Sequence, residues 1–118
     1  MTAPLKPERP EAQGVAGRRS TRLAINIPLT ISGKDAAGHS FKETTRTIVI
    51  NKHGAKVATL HQMALGAEVM IENRALGRAA KASVVWLGER RSPKEPVEIG
   101  VQLLEASNIW GIEFPPED

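Results

Sequence analysis

Leu23-Ala24-Ile25-Asn26-Ile27-Pro28-Leu29-Thr30-Ile31-Ser32 places an apolar side chain at every second position, with Ala24, Asn26, Pro28, Thr30 and Ser32 between. Period two over this length specifies a strand with one buried face. Pro28 falls on the polar phase and has no N–H to donate, so the strand needs an edge or a bulge there. The fold therefore starts as a sheet, and the rest of the chain is read outward from Leu23.

Downstream, Gly33-Lys34-Asp35-Ala36-Ala37-Gly38 is bounded by glycines and predicts a hairpin loop. A second strand follows from Phe41 to Ile50, where Thr44, Thr45, Thr47, Ile48, Val49 and Ile50 supply β-branched residues. Asn51-Lys52-His53-Gly54 turns the chain, because Asn and Gly tolerate positive φ. Further strands are expected at Ala55 to Leu60, Ala67 to Glu72, Ala79 to Leu87 and Val97 to Leu104. The strand from Ala79 to Leu87 looks apolar on both faces and is expected to be covered on both. His61 to Leu65 has room for one turn of helix before Gly66.

Six short strands with no long helical pattern between them specify an antiparallel barrel or sandwich, and closure into a barrel also removes exposed edges. Ile109, Trp110, Ile112 and Phe114 in the C-terminal extension bring enough apolar area to pack against that barrel, through a turn of helix. Trp86 and Trp110 both sit among apolar neighbours and read as core or lid aromatics.

Upstream of Leu23 the character changes. The 118-residue chain is long enough for one domain, assigned to residues 18–118. Met1 to Gly17 carries Pro4, Pro7, Pro10 and Gly14 without an apolar run, and is expected to be a disordered leader, neither a signal peptide nor a membrane span. With no cysteine in the chain, disulfides and thiolate zinc sites are excluded, and a cytoplasmic setting is compatible.

The formal charge of +3 is uneven: residues 1–46 hold eight Lys/Arg against four Asp/Glu, and the remainder eight against nine. The positive field gathers around Arg18, Arg19 and Arg22, which favours an anionic partner there. His39, His53 and His61 lack the spacing of a helical metal pair, and no metal is expected. Glu117-Asp118 is a solvated pair. No nucleophile–base set, P-loop or dinucleotide fingerprint is present, which argues against an enzyme. A general nucleic-acid barrel is disfavoured by the shortage of aromatics for stacking bases.

These residues carry a family resemblance. Arg18-x-x-x-Arg22 before the first strand, a turn ending in Gly54-Ala55 with Val57 beyond, Val84-Val85-Trp86 on a late strand and Ile99-Gly100-Val101-Gln102-Leu103 on the last resemble the PilZ domain family, from about Arg18 to Leu104. The resemblance implies a six-stranded antiparallel barrel and, for many members, a receptor for cyclic di-GMP. It implies ligand contacts from an R-x-x-x-R pair, here Arg18 and Arg22, and from a D/N-x-S-x-x-G motif on the barrel surface. Arg19 would be an outward neighbour or a phosphate helper. A guanidinium suits such a ligand because it pairs bidentately with phosphate, bonds a guanine edge or stacks on a base.

In the second motif only the glycine is kept. Aligned on Gly54, the acceptor position holds Val49 and the serine position Asn51. Valine cannot accept a hydrogen bond, whereas Asn51 still donates and accepts in altered geometry. Losing one or two such bonds, at about 1–3 kcal/mol each, weakens binding by roughly one to four powers of ten. Two functions are thus expected from one barrel. One is a cyclic di-GMP sensor using Arg18, Arg19, Arg22, Asn51 and Gly54, whose leader changes on binding to signal to a protein partner. The other is a barrel without nucleotide binding that serves as a protein-interaction module.

Overall fold

The computed structural model describes residues 21–92 and 94–114. The leader, Arg18, Arg19 and Glu117-Asp118 lie outside the described residues. Six strands follow one another: β1 Pro28–Lys34, β2 Ser40–Asn51, β3 Gly54–Thr59, β4 Glu68–Asn73, β5 Arg78–Leu87 and β6 Val97–Leu103. Every neighbouring pair is antiparallel. The order β1-β2-β3-β6-β5-β4 returns to β1, so the sheet closes into a barrel and leaves no long edge unpaired. None of the described residues forms a helix, and none therefore forms one long and apolar enough to cross a membrane.

The first strand begins later than its alternation suggests. Leu23, Ile25 and Ile27 do turn toward the core, half-buried, while Arg22, Ala24, Asn26 and Pro28 are exposed. Yet the regular ladder opens only at Pro28↔Arg46, with an isolated bridge further back between Leu23 and Ile50. Between them the fully buried Thr47 takes over the pairing. Its Oγ1 donates to Ile25 O at 2.6 Å and accepts from Ile27 N at 2.8 Å. The β2 register shifts between Thr47 and Val49 at the same place. Pro28, lacking an N–H, stands at the first position of β1, where it costs the ladder least.

Inside, Leu29 and Ile31 meet Val57, Val69, Ile71, Ala82, Val84, Val97, Ile99, Val101 and Leu103 in one cluster. Full burial of each Ile or Val contributes roughly 1.5–3 kcal/mol, so this row of alternating residues dominates the barrel's stability.

The two expected helical turns are absent. Between β3 and β4, Met63 drops into the core from an irregular loop with a turn closed by Ala67 N to Ala64 O at 3.2 Å. The C-terminal extension packs on the barrel as expected, but through a single turn in which Gly111 N donates to Asn108 O at 3.2 Å. Its anchors are polar as well as apolar. Buried Asn73 donates from Nδ2 to Ile109 O at 3.0 Å, and Ile109 and Trp110 are both buried. Gly111, at φ 70°, then sends the chain away, which a longer regular helix would prevent.

Strand β5 departs from expectation on its outer face. Ala82 and Val84 point inward, but the pairing with β6 slips between Val84 and Trp86. Val85, Trp86 and Leu87 all end up exposed. The bulge adds a residue, so the alternation that would have given Trp86 to the core breaks just before it.

Candidate functional site

Arg22 is placed by its neighbour. Leu23 N donates to Ile50 O at 2.8 Å and Ile50 N to Leu23 O at 2.9 Å, a mutual pair that pins this part of the chain to the end of β2. Because Leu23 faces inward, Arg22 and Ala24 face out, next to Val49, Ile50 and Asn51. A groove of about 670 Å³ opens there, and it brings together Arg22, Asn51 and Gly54. Three of the five residues named from sequence thus share one surface. The other two, Arg18 and Arg19, precede Arg22 in the chain and lie outside the described residues.

The outer faces of β3, β6 and β5 form the floor. In register, Gly54 sits opposite Gln102, Lys56 opposite Gly100, and Gly100 opposite Trp86. Gly100 has no side chain between Lys56 and Trp86, so the indole lies across β6. A Cβ on Gly100 would come 3.2 Å from Trp86 Cβ and 3.8 Å from its Cε3, and one on Gly88 3.2 Å from its Cη2. Two glycines therefore seat the ring, which remains 44% exposed. Lys56 Nζ stands 4.9 Å from the ring centroid and 3.6 Å from Glu98 Oε1. The ammonium is thereby held at the edge of the aromatic platform by a cation–π contact and a partly solvated ion pair.

The turn that walls the groove is set by Asn51. Its Oδ1 accepts from His53 N at 2.8 Å, and its backbone O accepts from Trp110 Nε1 at 3.0 Å. The side-chain oxygen is consumed in the turn, leaving the amide NH2 as the part of Asn51 available to a ligand. Gly54 is required for a different reason than sequence suggests. Its φ is not in the left-handed region. Instead a Cβ there would collide with Val101 O and reach Gln102 Cα at 3.1 Å, so the close approach of β6 excludes any side chain. Val49 lines the groove as well, and the acceptor missing from the motif is missing from the surface.

Lys56, Trp86 and Gln102 join the site without having been expected there. Only Trp86 had a visible signal, the glycines Gly88 and Gly100 that make its seat, and recognising it requires knowing the β5–β6 register. A second groove of about 620 Å³ lies on the other side of the same turn, lined by Leu103, Leu104, Trp110, Ile112 and Phe114 with Lys52 and His53. It is mainly apolar and lacks an exposed aromatic plane flanked by cations. Among the described residues no group of three or more His, Asp or Glu is arranged to hold a metal ion.

No family model matches this chain, and no curated protein does. The chemistry of the site must accordingly be taken from its own residues. Arg22 and Lys56 supply positive charge, the Trp86 face supplies a plane for an aromatic ring, and the Asn51 NH2 supplies a hydrogen-bond donor. An anion carrying a planar base satisfies all three. Arg22 makes no hydrogen bond or ion pair with the described residues, so its five donors remain for such a ligand.

Proposed function

We propose that this chain is a PilZ-like binding module that recognises cyclic di-GMP, with Arg22, assisted by Arg18 and Arg19, on the phosphates and a guanine against Trp86. The observation that carries the reading is the groove in which Arg22, Asn51 and Gly54 meet Lys56 and an exposed indole. Three of the residues that the resemblance names, Arg22, Asn51 and Gly54, line this surface. Binding at the junction between the leader and the barrel would fix the leader and offer a protein partner a new surface. Under this reading the protein is a cytoplasmic sensor without a cofactor, and it binds its ligand without transforming it.

A second reading has its own support. Val49 removes an acceptor from the motif, and Val85, Trp86 and Leu87 form an exposed apolar run beside the groove. A barrel that has lost nucleotide binding would use that run to hold a protein partner. Isothermal titration of the full chain with cyclic di-GMP separates the two. The sensor predicts a Kd below about 10 µM that rises at least roughly tenfold in Arg22→Ala. Absence of heat at millimolar ligand sinks it in favour of the interaction module.

A further inference from the structure

We infer that the base edge in this groove is read by Gln102, and that the site consequently accepts adenine about as well as guanine. The inference rests on the reading of the groove as a cyclic dinucleotide site. Gln102 lies on the exposed outer face of β6, between Gly54 on β3 and Ser83 on β5. It stands two residues beyond Gly100, over which the Trp86 indole is laid. Gln102 and Arg22 line the same groove.

The polar inventory of the groove narrows the choice. Val49 offers nothing, and the Asn51 oxygen is engaged by His53 N. Arg22, Lys56, the Asn51 NH2 and the Trp86 N–H only donate, and the His53 imidazole, which also lines the groove, belongs to the Asn51 turn and not to the floor around Trp86. Gln102 presents an acceptor and two donors, and no described residue hydrogen-bonds its amide. With Arg22 and Lys56 drawn to the two phosphates, discrimination between bases falls to this amide.

An amide discriminates poorly between purines. It can rotate to give N–H to guanine O6 and take N1–H on its oxygen, or to give N–H to adenine N1 and take the N6 amino hydrogen. Either way two bonds form, and with guanine the N2 amino group is left to other partners. A carboxylate only accepts. It matches the N1–H and N2–H donors of guanine, but sets an oxygen against the adenine N1 lone pair. With Val49 at the motif position and Gln102 beside the platform, the groove lining presents an amide and no carboxylate to the base.

The test is isothermal titration of the full chain with cyclic di-GMP and, separately, cyclic di-AMP. Wild-type Kd values should agree within about threefold, and Gln102→Ala should weaken both ligands by a similar factor of roughly ten. Gln102→Glu should favour cyclic di-GMP over cyclic di-AMP by at least about tenfold. Unfolding midpoints of both variants serve as the folding control, since the side chain is exposed. If the wild type prefers cyclic di-GMP by about a hundredfold or more, or Gln102→Ala changes neither affinity, the assignment of Gln102 is overturned while the groove reading stands through its dependence on Arg22. If the wild type binds neither ligand, the groove reading fails and the inference fails with it.

Discussion

The two tryptophans stand in similar sequence surroundings and in opposite structural ones. Trp110 is 4% exposed and its Nε1 donates to Asn51 O at 3.0 Å, whereas Trp86 is 44% exposed with Lys56 Nζ 4.9 Å from its ring. Trp110 completes its burial and its hydrogen bond within the protein, so its surface contributes to folding. Trp86 keeps nearly half its surface in water, held flat by Gly88 and Gly100, so its surface stays available for association. What separates them is the bulge after Val84, which changes the facing of β5 at the moment it reaches the indole. The lesson is that apolar neighbours in sequence do not assign an aromatic to the core; the strand register does.

Substitutions can break this contrast or sharpen it. The largest effect is expected from Trp110→Ala, which should cost about 3–5 kcal/mol in urea unfolding by leaving a cavity under the extension and removing the partner of Asn51 O. Gly54→Ala comes next. Its Cβ meets Val101 O, so β3 and β6 must separate, at about 1–3 kcal/mol of stability and with the groove floor distorted. Trp86→Ala should do the reverse of Trp110→Ala. Unfolding should change by no more than about 0.5 kcal/mol, while affinity for cyclic di-GMP in titration falls by about 1–3 kcal/mol, the value of a stacked base. A stability loss at Trp86 equal to that at Trp110 would erase the distinction.

The smallest effect concerns neither tryptophan and serves as a control on both. The Asp35 carboxylate accepts from His39 N at 2.9 Å and Ala37 N at 3.0 Å across the β1–β2 loop, and these bonds hold its pKa below the ordinary 3.8, the His39 bond contributing most. A depressed folded pKa means the stabilisation is complete above the unfolded value and is lost as pH falls through the folded one. As pH falls below about 4, the protection of the loop amides against exchange should decline in the wild type but not in Asp35→Asn, with the emission of both tryptophans unchanged.

Much of the barrel was legible because burial in a closed sheet imposes a period of two that the chain displays. Leu29, Ile31, Val97, Ile99, Val101 and Leu103 all face the core as their spacing demands. The alternation failed where side chains replaced ladder bonds. Thr47 bridges to Ile25 and Ile27, and nothing in the residue itself announces that its hydroxyl will do so. The expected helical turns at His61–Leu65 and in the extension were not formed because Met63, Ile109 and Trp110 reach the core from tighter, irregular backbone.

For the groove, Arg22, Asn51 and Gly54 could be named through the family resemblance, since they sit on one strand entry and one turn. Lys56, Trp86 and Gln102 come from three strands that become neighbours only through the β3–β6–β5 register. Gly54 was named for the wrong property: its backbone is ordinary, and the constraint is the carbonyl of Val101 against it.

The most direct test of the account is to follow the Trp86 indole N–H by NMR while cyclic di-GMP is added to the full chain. The account predicts a Trp86 resonance that shifts and saturates, with a smaller change at Trp110, and a shift that disappears in Arg22→Ala. A Trp86 resonance that stays in place at excess ligand, or one that moves equally with and without Arg22, would contradict it.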